Sequence, residues 1–356
     1  MDEIRRLCRD GFSLEDIFKL RNRGIDSVAF LSLNIALKSY MSTYKNVSIC
    51  GSVYLNESPN TEMRPNMEYI KNYSETITHF QHFFELVFKD ILRTEHELLV
   101  LEIVNKHDLL YKMLQNESVK EIELEGINTI SFKVALDRLC ALIDSNRIDK
   151  NYSFIKDNKR EFESLNTLRN RIWHRGRFVM NYRVLDLYIG RYILPIVKQV
   201  ANLPKYIDLN HYWKYKPLEL ELDPIDEIII ECTRDNPKYD KIAFLKELGR
   251  ASYDNPLSGV AFAHHFDEAI KVRSSLIAKN ELVDSWEGEY RIIDCPVCGV
   301  HSLVKYEESD FDYDGNQIIH WTVVWNVKCF CCSLEYYRSG LKNPKEYGYN
   351  FPNLWD

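Results

Sequence analysis

Two pairs of cysteines near the end of the chain constrain its fold more than any other feature. Two residues separate Cys295 from Cys298, and the same spacing separates Cys329 from Cys332. This spacing allows both thiolates of a pair to reach one ion, and four thiolates provide the tetrahedral ligand set of a structural zinc site. We therefore predict that these four cysteines bind a structural zinc ion.

Two alternatives stay open for these thiols. The four could be buried free thiols, or His301 or His320 could replace one cysteine as a ligand. The segment between the pairs is rich in Val, Ile, Tyr and Trp, and 30 residues separate Cys298 from Cys329. It resembles a zinc ribbon, in which two hairpins each present a cysteine pair, so we predict a small β domain with a long hairpin at residues 284–356. Ser333 follows the second pair, where a glycine is customary.

Composition excludes several classes of protein. The chain has 356 residues, of which 45% are hydrophobic and 13% aromatic, enough for two or three packed domains and unlike a collagenous or wholly disordered chain. A net charge of −7 excludes a uniformly basic coat for nucleic acid. Of the other five cysteines, Cys331 lies within the second pair and is surplus to a set of four ligands. The remaining four are scattered, which argues against a disulfide framework and predicts small buried side chains at Cys8, Cys50, Cys140 and Cys232.

The hydropathy of the chain predicts no membrane partner. The first residues contain no apolar stretch of the signal-peptide type, and no run of 18 apolar residues occurs. We therefore expect a cytoplasmic protein in a reducing compartment.

Residues 66–202 carry helical periodicity and are nearly free of glycine and proline. Apolar residues recur at helical spacing at Phe80, Phe84, Val87, Phe88 and Ile91. Four helices are predicted over 77–97, 130–143, 159–175 and 178–200, and Gly176 stands where a glycine commonly ends a helix. Four helices joined by moderate loops predict a helical bundle, so the fold class is mainly α with a small C-terminal β domain.

The charge balance changes sharply after the predicted bundle. Residues 147–198 contain 12 Lys or Arg against 5 Asp or Glu, whereas residues 217–237 contain 7 acidic residues against one Arg. We place a boundary near 203–225 and predict four segments. These are a helical N-terminal extension at 1–65, the four-helix domain at 66–202, an acidic linker with a helical segment at 203–283, and the zinc-ribbon domain at 284–356.

The segment from Leu168 to Gly176 contains Arg169, Asn170 and His174. These three side-chain types suit proton transfer and the binding of a phosphate group. A histidine transfers protons near neutral pH, and an arginine binds phosphate oxygens. Asn170 and His174 would share one face of a helix, so the amide could orient the imidazole. Arg169 and His174 would lie about 140° apart on a helix of 3.6 residues per turn, which requires a wide or shared cleft.

At this motif the chain resembles the HEPN superfamily, small α-helical domains whose motif is an Arg, often followed by Asn, and a His, with four to six residues between the Arg and the His. The resemblance covers about residues 70–202. It implies a metal-independent endoribonuclease with Arg169, Asn170 and His174 as catalytic residues, and products with 2′,3′-cyclic phosphate ends. It also implies a homodimer in which two motifs meet, and a prokaryotic toxin or antiphage defence effector with a trigger or antitoxin partner.

Several other interpretations stay open. Arg171, Arg175 and Arg177 form either an RNA-binding rim or a solvated face. His174 could be a helix-end residue stabilised by the dipole, and Arg169 a surface salt-bridge partner. We expect Ile172 and Trp173 to be core residues, and Glu85, with Gln81 and Lys89, to lie on a solvated face. The alternative functions are a non-catalytic adaptor that binds nucleic acid or protein, and a DNA-binding regulator that uses residues 13–40.

Overall fold

The computed structural model describes residues 26–56, 66–103, 106–115, 117–119, 127–176, 178–283, 291–314 and 317–355. Helices dominate this part of the chain, and a small antiparallel sheet lies near its end, which confirms the predicted mainly α class with a C-terminal β region. Thirteen α-helices are used as reference points below. They are α1 (Asp26–Ser42), α2 (Gly51–Asn56), α3 (Met67–Glu95), α4 (His107–Leu114), α5 (Phe132–Asp144), α6 (Ser153–Asp157), α7 (Lys159–Asn170), α8 (Tyr182–Tyr188), α9 (Leu194–Ala201), α10 (Asn210–Trp213), α11 (Pro224–Thr233), α12 (Tyr239–Tyr253) and α13 (His264–Val283).

Two π-helical segments and several 3-10 turns complete the helical part. The π segments follow α7 and α8 directly, at Arg171–Arg175 and Ile189–Ile193. The 3-10 turns are Ser48–Cys50, Glu97–Val100, Lys150–Tyr152, Ile207–Leu209, Ala261–Ala263 and Pro344–Tyr347. Within the described ranges, no helix combines the length and the apolar character that a membrane span requires.

The chain divides into two compact units that cut across the four predicted segments. Unit 1 takes the described residues of Met1–Ala36, Thr76–Phe178 and Ile196–Trp213. Unit 2 takes those of Leu37–Glu75, Val179–Pro195 and Lys214–Asp356. The predicted fourth helix, 178–200, is therefore shared between the units, and the cysteine-bearing sheet belongs to a larger unit.

The core of unit 1 is built from aromatic side chains on α1, α3, α5 and α7. The predicted apolar stripe of α3, from Phe80 to Ile91, is buried. Phe162 of α7 packs edge-on against both Phe84 and Phe88, with ring centroids 4.9 Å apart in each pair. Phe30 of α1 packs against Phe83 at 5.4 Å. These contacts fix α7 and α1 against α3.

Unit 2 buries charged residues at its centre. Every residue of α12 from Lys241 to Ser252 is buried. The charges are paired rather than excluded: Lys246 Nζ lies 2.6 Å from Asp186 Oδ1, and both side chains are fully buried. Arg250 pairs with Glu247 in the same core, at 2.6 Å. Buried charges require such partners, because an isolated charge in a protein interior is costly.

The sheet of unit 2 has four antiparallel strands in the order β1–β2–β3–β4. They are β1 (Ile292–Asp294), β2 (His301–Asp314), β3 (Gln317–Cys329) and β4 (Glu335–Tyr337). The pairing of β2 with β3 runs from Leu303–Cys329 to Asp314–Gln317, in agreement with the long hairpin predicted from the cysteine spacing.

Helix α12 anchors the sheet within unit 2. Glu247 Oε1 accepts a hydrogen bond from the backbone N–H of Glu335, at 2.8 Å. The Tyr336 hydroxyl donates to the carbonyl of Phe244 at 2.7 Å, and the two rings stack with centroids 5.0 Å apart. The β region is therefore fixed to a helix that precedes it in the sequence.

The predictions for the scattered cysteines and for the suggested DNA-binding hairpin have different outcomes. Cys140 and Cys232 are buried as expected, and burial raises the pKa of the Cys232 thiol to about 12. Cys50 is exposed, so the prediction for it was wrong. Cys8 and residues 13–25 of the suggested DNA-binding hairpin lie outside the described residues; the remainder of that hairpin is the first part of α1.

Candidate functional site

The four predicted cysteines form one buried group. Their four Sγ atoms all lie within 4.8 Å of one another. Two short contacts join the first cysteine pair to the second: Cys295 Sγ lies 3.5 Å from Cys332 Sγ, and Cys298 Sγ lies 3.8 Å from Cys329 Sγ. The β1–β2 connection presents the first pair, and the end of β3 with the turn after it presents the second. This arrangement could hold a metal ion, as predicted.

Polar groups around the sulfurs fit a thiolate cluster. The Ser302 hydroxyl lies 3.3 Å from Cys329 Sγ, and the backbone N–H of Cys331 donates to the same sulfur at 3.4 Å. Donors of this kind stabilise thiolate charge and orient metal ligands. His301 is not part of this group: its side chain is exposed, and its Nδ1 lies 2.7 Å from Asp294 Oδ1. The side chain of His320 lies outside the described residues.

The residues that follow each pair adopt the same left-handed backbone. Gly299 has φ +69°, and Ser333, which replaces the customary glycine, has φ +60°. Arg250 donates to both the hydroxyl and the carbonyl of Ser333, the hydroxyl contact being 3.1 Å long. The buried guanidinium of α12 therefore supports a backbone conformation that a serine does not favour.

Replacement of Gly299 by alanine should destabilise unit 2 and loosen the cysteine group. An L-residue in this backbone conformation costs about 1–2 kcal/mol, and a Cβ would lie 3.0 Å from the Glu219 side chain. Thermal unfolding and the rate of metal release to a chelator measure the two effects. Gly259→Ala is the matched control: its φ is +70° and nothing lies within 4 Å of the added Cβ. Equal rates of metal release from the two variants would contradict a role for Gly299 in shaping the turn at Cys295 and Cys298.

The Arg-Asn-His motif lies where α7 ends and changes its geometry. Arg169 and Asn170 are the last residues of α7, and His174 lies in the π segment Arg171–Arg175. Gly176 ends the segment with φ +55°, as predicted. A π turn pairs residues five apart, so the separation of Arg169 and His174 is smaller than the 140° of a regular helix. Sequence reasoning missed this turn because it assumed an uninterrupted α-helix.

Arg169 is half-buried and poorly satisfied. Its Nη1 donates to Asn170 Oδ1 at 3.1 Å, and its Nε is buried without a hydrogen-bond partner. Arg169 makes no ion pair within the described part of the chain, which argues against a role as a surface salt-bridge partner. A buried guanidinium nitrogen without an acceptor is costly and is a natural site for an anionic oxygen.

His174 is exposed, and among the described residues nothing forms a hydrogen bond with it. The expected contact between Asn170 and His174 is replaced by the contact between Asn170 and Arg169. Of the predicted basic rim, Arg171 is exposed, with its guanidinium 5.3 Å from the centroid of Phe178. The side chain of Arg175 and all of Arg177 lie outside the described residues.

Trp173 was predicted to be a core residue, and this was wrong. Its side chain is 64% exposed, and its indole N–H donates to Thr78 Oγ1 of α3 at 3.1 Å. Trp173 lies in the π segment, beyond the last residue of α7. An exposed indole next to the motif offers a stacking surface for a nucleic-acid base.

The polar side of α3 was predicted to be solvated, and this was also wrong. Gln81 and Lys89 are buried, and both donate to the Glu85 carboxylate, at 3.0 and 2.6 Å. Lys89 also donates to Thr129 Oγ1 at 3.0 Å. The missed signal was the spacing of four residues between these side chains, which allows a hydrogen-bonded chain along one helix face.

A serine flanked by two histidines was missed altogether. Ser32 Oγ of α1 lies 2.8 Å from His82 Nδ1 and 3.1 Å from His79 Nδ1, both on α3. The only sequence signal was that His82 lies three positions after His79, which places them on neighbouring positions of a helix. Their serine partner lies about fifty positions earlier in the chain, beyond the reach of local patterns.

Comparison of the chain with models of protein families, with curated proteins and with solved structures gives no match.

Proposed function

We propose that the chain is a metal-independent endoribonuclease that cleaves RNA through Arg169, Asn170 and His174. One observation carries this proposal: a guanidinium with a buried, unpartnered Nε lies at the same helix end as an exposed imidazole. The first group is suited to bind a phosphodiester, and the second is free to exchange protons with a substrate.

The reaction needs no external nucleophile. The 2′-oxygen of a ribose attacks the adjacent phosphorus, so that a bond from phosphorus to O2′ forms and the bond from phosphorus to O5′ breaks. The 2′-OH loses a proton and the leaving 5′-oxygen gains one, which leaves a 2′,3′-cyclic phosphate and a 5′-OH. Arg169 binds the phosphoryl oxygens as negative charge develops, Asn170 orients the guanidinium, and His174 transfers a proton.

We assign a structural role to the metal. The ion is proposed to be zinc, because four buried thiolates form a soft, closed tetrahedral set that leaves no coordination position for substrate. When bound, the ion would hold the two cysteine pairs together through Cys295, Cys298, Cys329 and Cys332. Catalysis at Arg169 and His174 is proposed to proceed without it.

The biological context follows from the resemblance to HEPN domains. We propose a cytoplasmic prokaryotic toxin or antiphage defence effector that acts as a homodimer, with a trigger or antitoxin as a further partner. Arg171, Arg175 and Arg177 are proposed to contact the RNA backbone, and Trp173 to stack on a base.

RNA cleavage by His174→Ala tests the proposal. Purified wild type and variant are incubated with total cellular RNA and EDTA, and metal content is measured in parallel. We expect the variant to lose about 10²- to 10⁴-fold in rate, the usual contribution of a proton-transfer residue. The wild-type products should carry 2′,3′-cyclic phosphate ends. His107→Ala, which removes an exposed histidine of unit 1, is the control and should cleave like wild type.

Two results would contradict the proposal. Equal cleavage by wild type and His174→Ala would remove His174 from the reaction. RNA binding without cleavage by a folded, metal-loaded wild type would support the non-catalytic adaptor.

A further inference from the structure

Ser32, His79 and His82 form a hydrogen-bonded cluster whose arrangement suits proton transfer. Ser32 is 4% exposed, whereas the His82 side chain is partly buried and reaches the solvent. A hydroxyl has one proton, so Ser32 donates to one Nδ1 atom and accepts from the other. Among the described residues His82 makes no other hydrogen bond, and its Nε2 is therefore open to a ligand.

Packing contacts place this cluster level with Arg169. Helices α3 and α7 run antiparallel, because Phe162 meets Phe84 and Phe88 while Trp173 meets Thr78. Arg169 lies two turns after Phe162 on the same face of α7, and Trp173 follows four positions later in the π segment. His82 lies one turn after Thr78 on α3, on the side of that helix that faces this stretch. The two helices thus bring the imidazole of His82 opposite the guanidinium of Arg169.

The surroundings of His82 favour its neutral form, chiefly through burial. Partial burial lowers its pKa below the usual value, and Glu85 opposes this shift, while Lys89 and Arg169 add to it. His79 is a further titratable group that contacts Ser32. A histidine whose pKa is lowered is mostly neutral at physiological pH, and a neutral imidazole can accept a proton as a general base.

We propose that His82, oriented by Ser32, is the general base of the ribonuclease site and faces Arg169 across the bound phosphodiester. This inference rests on the proposed function. His82 Nδ1–H donates to Ser32 Oγ, and the Ser32 hydroxyl donates to His79 Nδ1, which leaves the lone pair of His82 on Nε2. That nitrogen takes the proton of the 2′-OH as O2′ attacks phosphorus. His174 gives a proton to O5′ as the bond from phosphorus to O5′ breaks, and exchange with water restores both imidazoles.

The two histidines then have separable roles. Trp173, which contacts Thr78, directly precedes His174, so His174 lies close to the part of α3 that precedes His82. One side of the phosphodiester meets the base and the other meets the acid, with Arg169 between them. Ser32 and His79 are positioning residues, because they act through His82 and not on the substrate.

Two substrates separate the roles. The first is a short RNA, whose 5′-oxygen needs a proton to leave. The second is uridine 3′-(4-nitrophenyl phosphate), whose nitrophenolate leaves without one. His82→Asn keeps a donor near the position of Nδ1 but removes the base, so we expect a loss of about 100-fold or more on both substrates. His174→Ala should lose as much on RNA but remain within about tenfold of wild type on the nitrophenyl ester, and His107→Asn should resemble wild type.

The pH profile provides a second readout. Wild-type cleavage of the nitrophenyl ester should rise with pH to a plateau, with its midpoint below about 6.5, the ordinary value for histidine. His82→Asn should lose this rise. Ser32→Ala keeps the His82 imidazole but removes the hydrogen bond that orients it. This variant should lower kcat about tenfold on both substrates and shift the midpoint of the pH profile. Thermal unfolding confirms that each variant is folded.

The outcomes distinguish this inference from the function on which it rests. If His174→Ala loses RNA cleavage but His82→Asn keeps both activities, the base assignment is wrong and the proposed function stands. Loss of RNA cleavage alone in His82→Asn would make His82 an acid and overturn the assignment too. If wild type cleaves neither substrate, both proposals are overturned.

Discussion

Cys298→Ser should abolish stable metal binding and destabilise unit 2. Binding of structural zinc to four ligands contributes about 10–16 kcal/mol of folding free energy in small zinc domains, and three remaining thiolates retain only part of it. Unit 2 has a large core of its own, so the sheet end is affected most. A loss of about 5 kcal/mol corresponds to a fall in Tm of roughly 10–20 °C in a unit of 150–250 residues. Elemental analysis and calorimetry measure the two effects.

Cys331→Ser is the matched control for this prediction. Cys331 neighbours Cys332 in sequence but lies outside the group of four sulfurs. We expect it to retain one metal ion per chain and a Tm close to that of wild type. Metal loss in Cys331→Ser together with retention in Cys298→Ser would show that the ligand set is different.

Lys246→Met should be among the most destabilising substitutions in unit 2. It leaves the Asp186 carboxylate fully buried and without its cation, and the loss of one partner of a buried pair costs about 3–5 kcal/mol. The ammonium also lies 4.1 Å from the ring centroid of Tyr182 and 4.6 Å from that of Tyr40, so these cation–π contacts are lost as well. Chemical denaturation measures the free energy of unfolding. The exposed Lys238→Met should stay within about 0.5 kcal/mol of wild type.

The pH dependence of Lys246→Met tests the cause of this loss. Burial raises the pKa of Asp186, and Lys246 opposes the shift. Without the lysine the pKa rises further, so the folded state binds a proton that the unfolded state releases above its own pKa, about 3.9. The stability of the variant should therefore fall as pH rises from that value through the folded pKa, more steeply than in wild type. The double variant Asp186→Leu/Lys246→Met should be more stable than Lys246→Met at pH 7, and equal stabilities there would contradict the buried-charge explanation.

Local patterns in the sequence were sufficient for two parts of this protein. The apolar spacing from Phe80 to Ile91 predicted the buried face of α3, because residues three or four apart share one side of a helix. The repeated two-residue spacing of the cysteines predicted the group of four sulfurs and the long hairpin between them. Both predictions depend on distances along the chain that covalent geometry converts directly into distances in space.

The fate of the polar and charged side chains was decided by tertiary structure alone. A lysine in a helix is usually a surface residue. Lys246 is nevertheless fully buried, where its charge is paired with that of Asp186, 60 positions away. His82 acquires an oriented imidazole because Ser32, 50 positions away, lies against it. Trp173 is exposed in the π segment that follows α7, where the sequence pattern had predicted a core residue. A polar side chain is stable in the interior only with a partner, and that partner is supplied by packing between distant segments, which no local period in the sequence encodes.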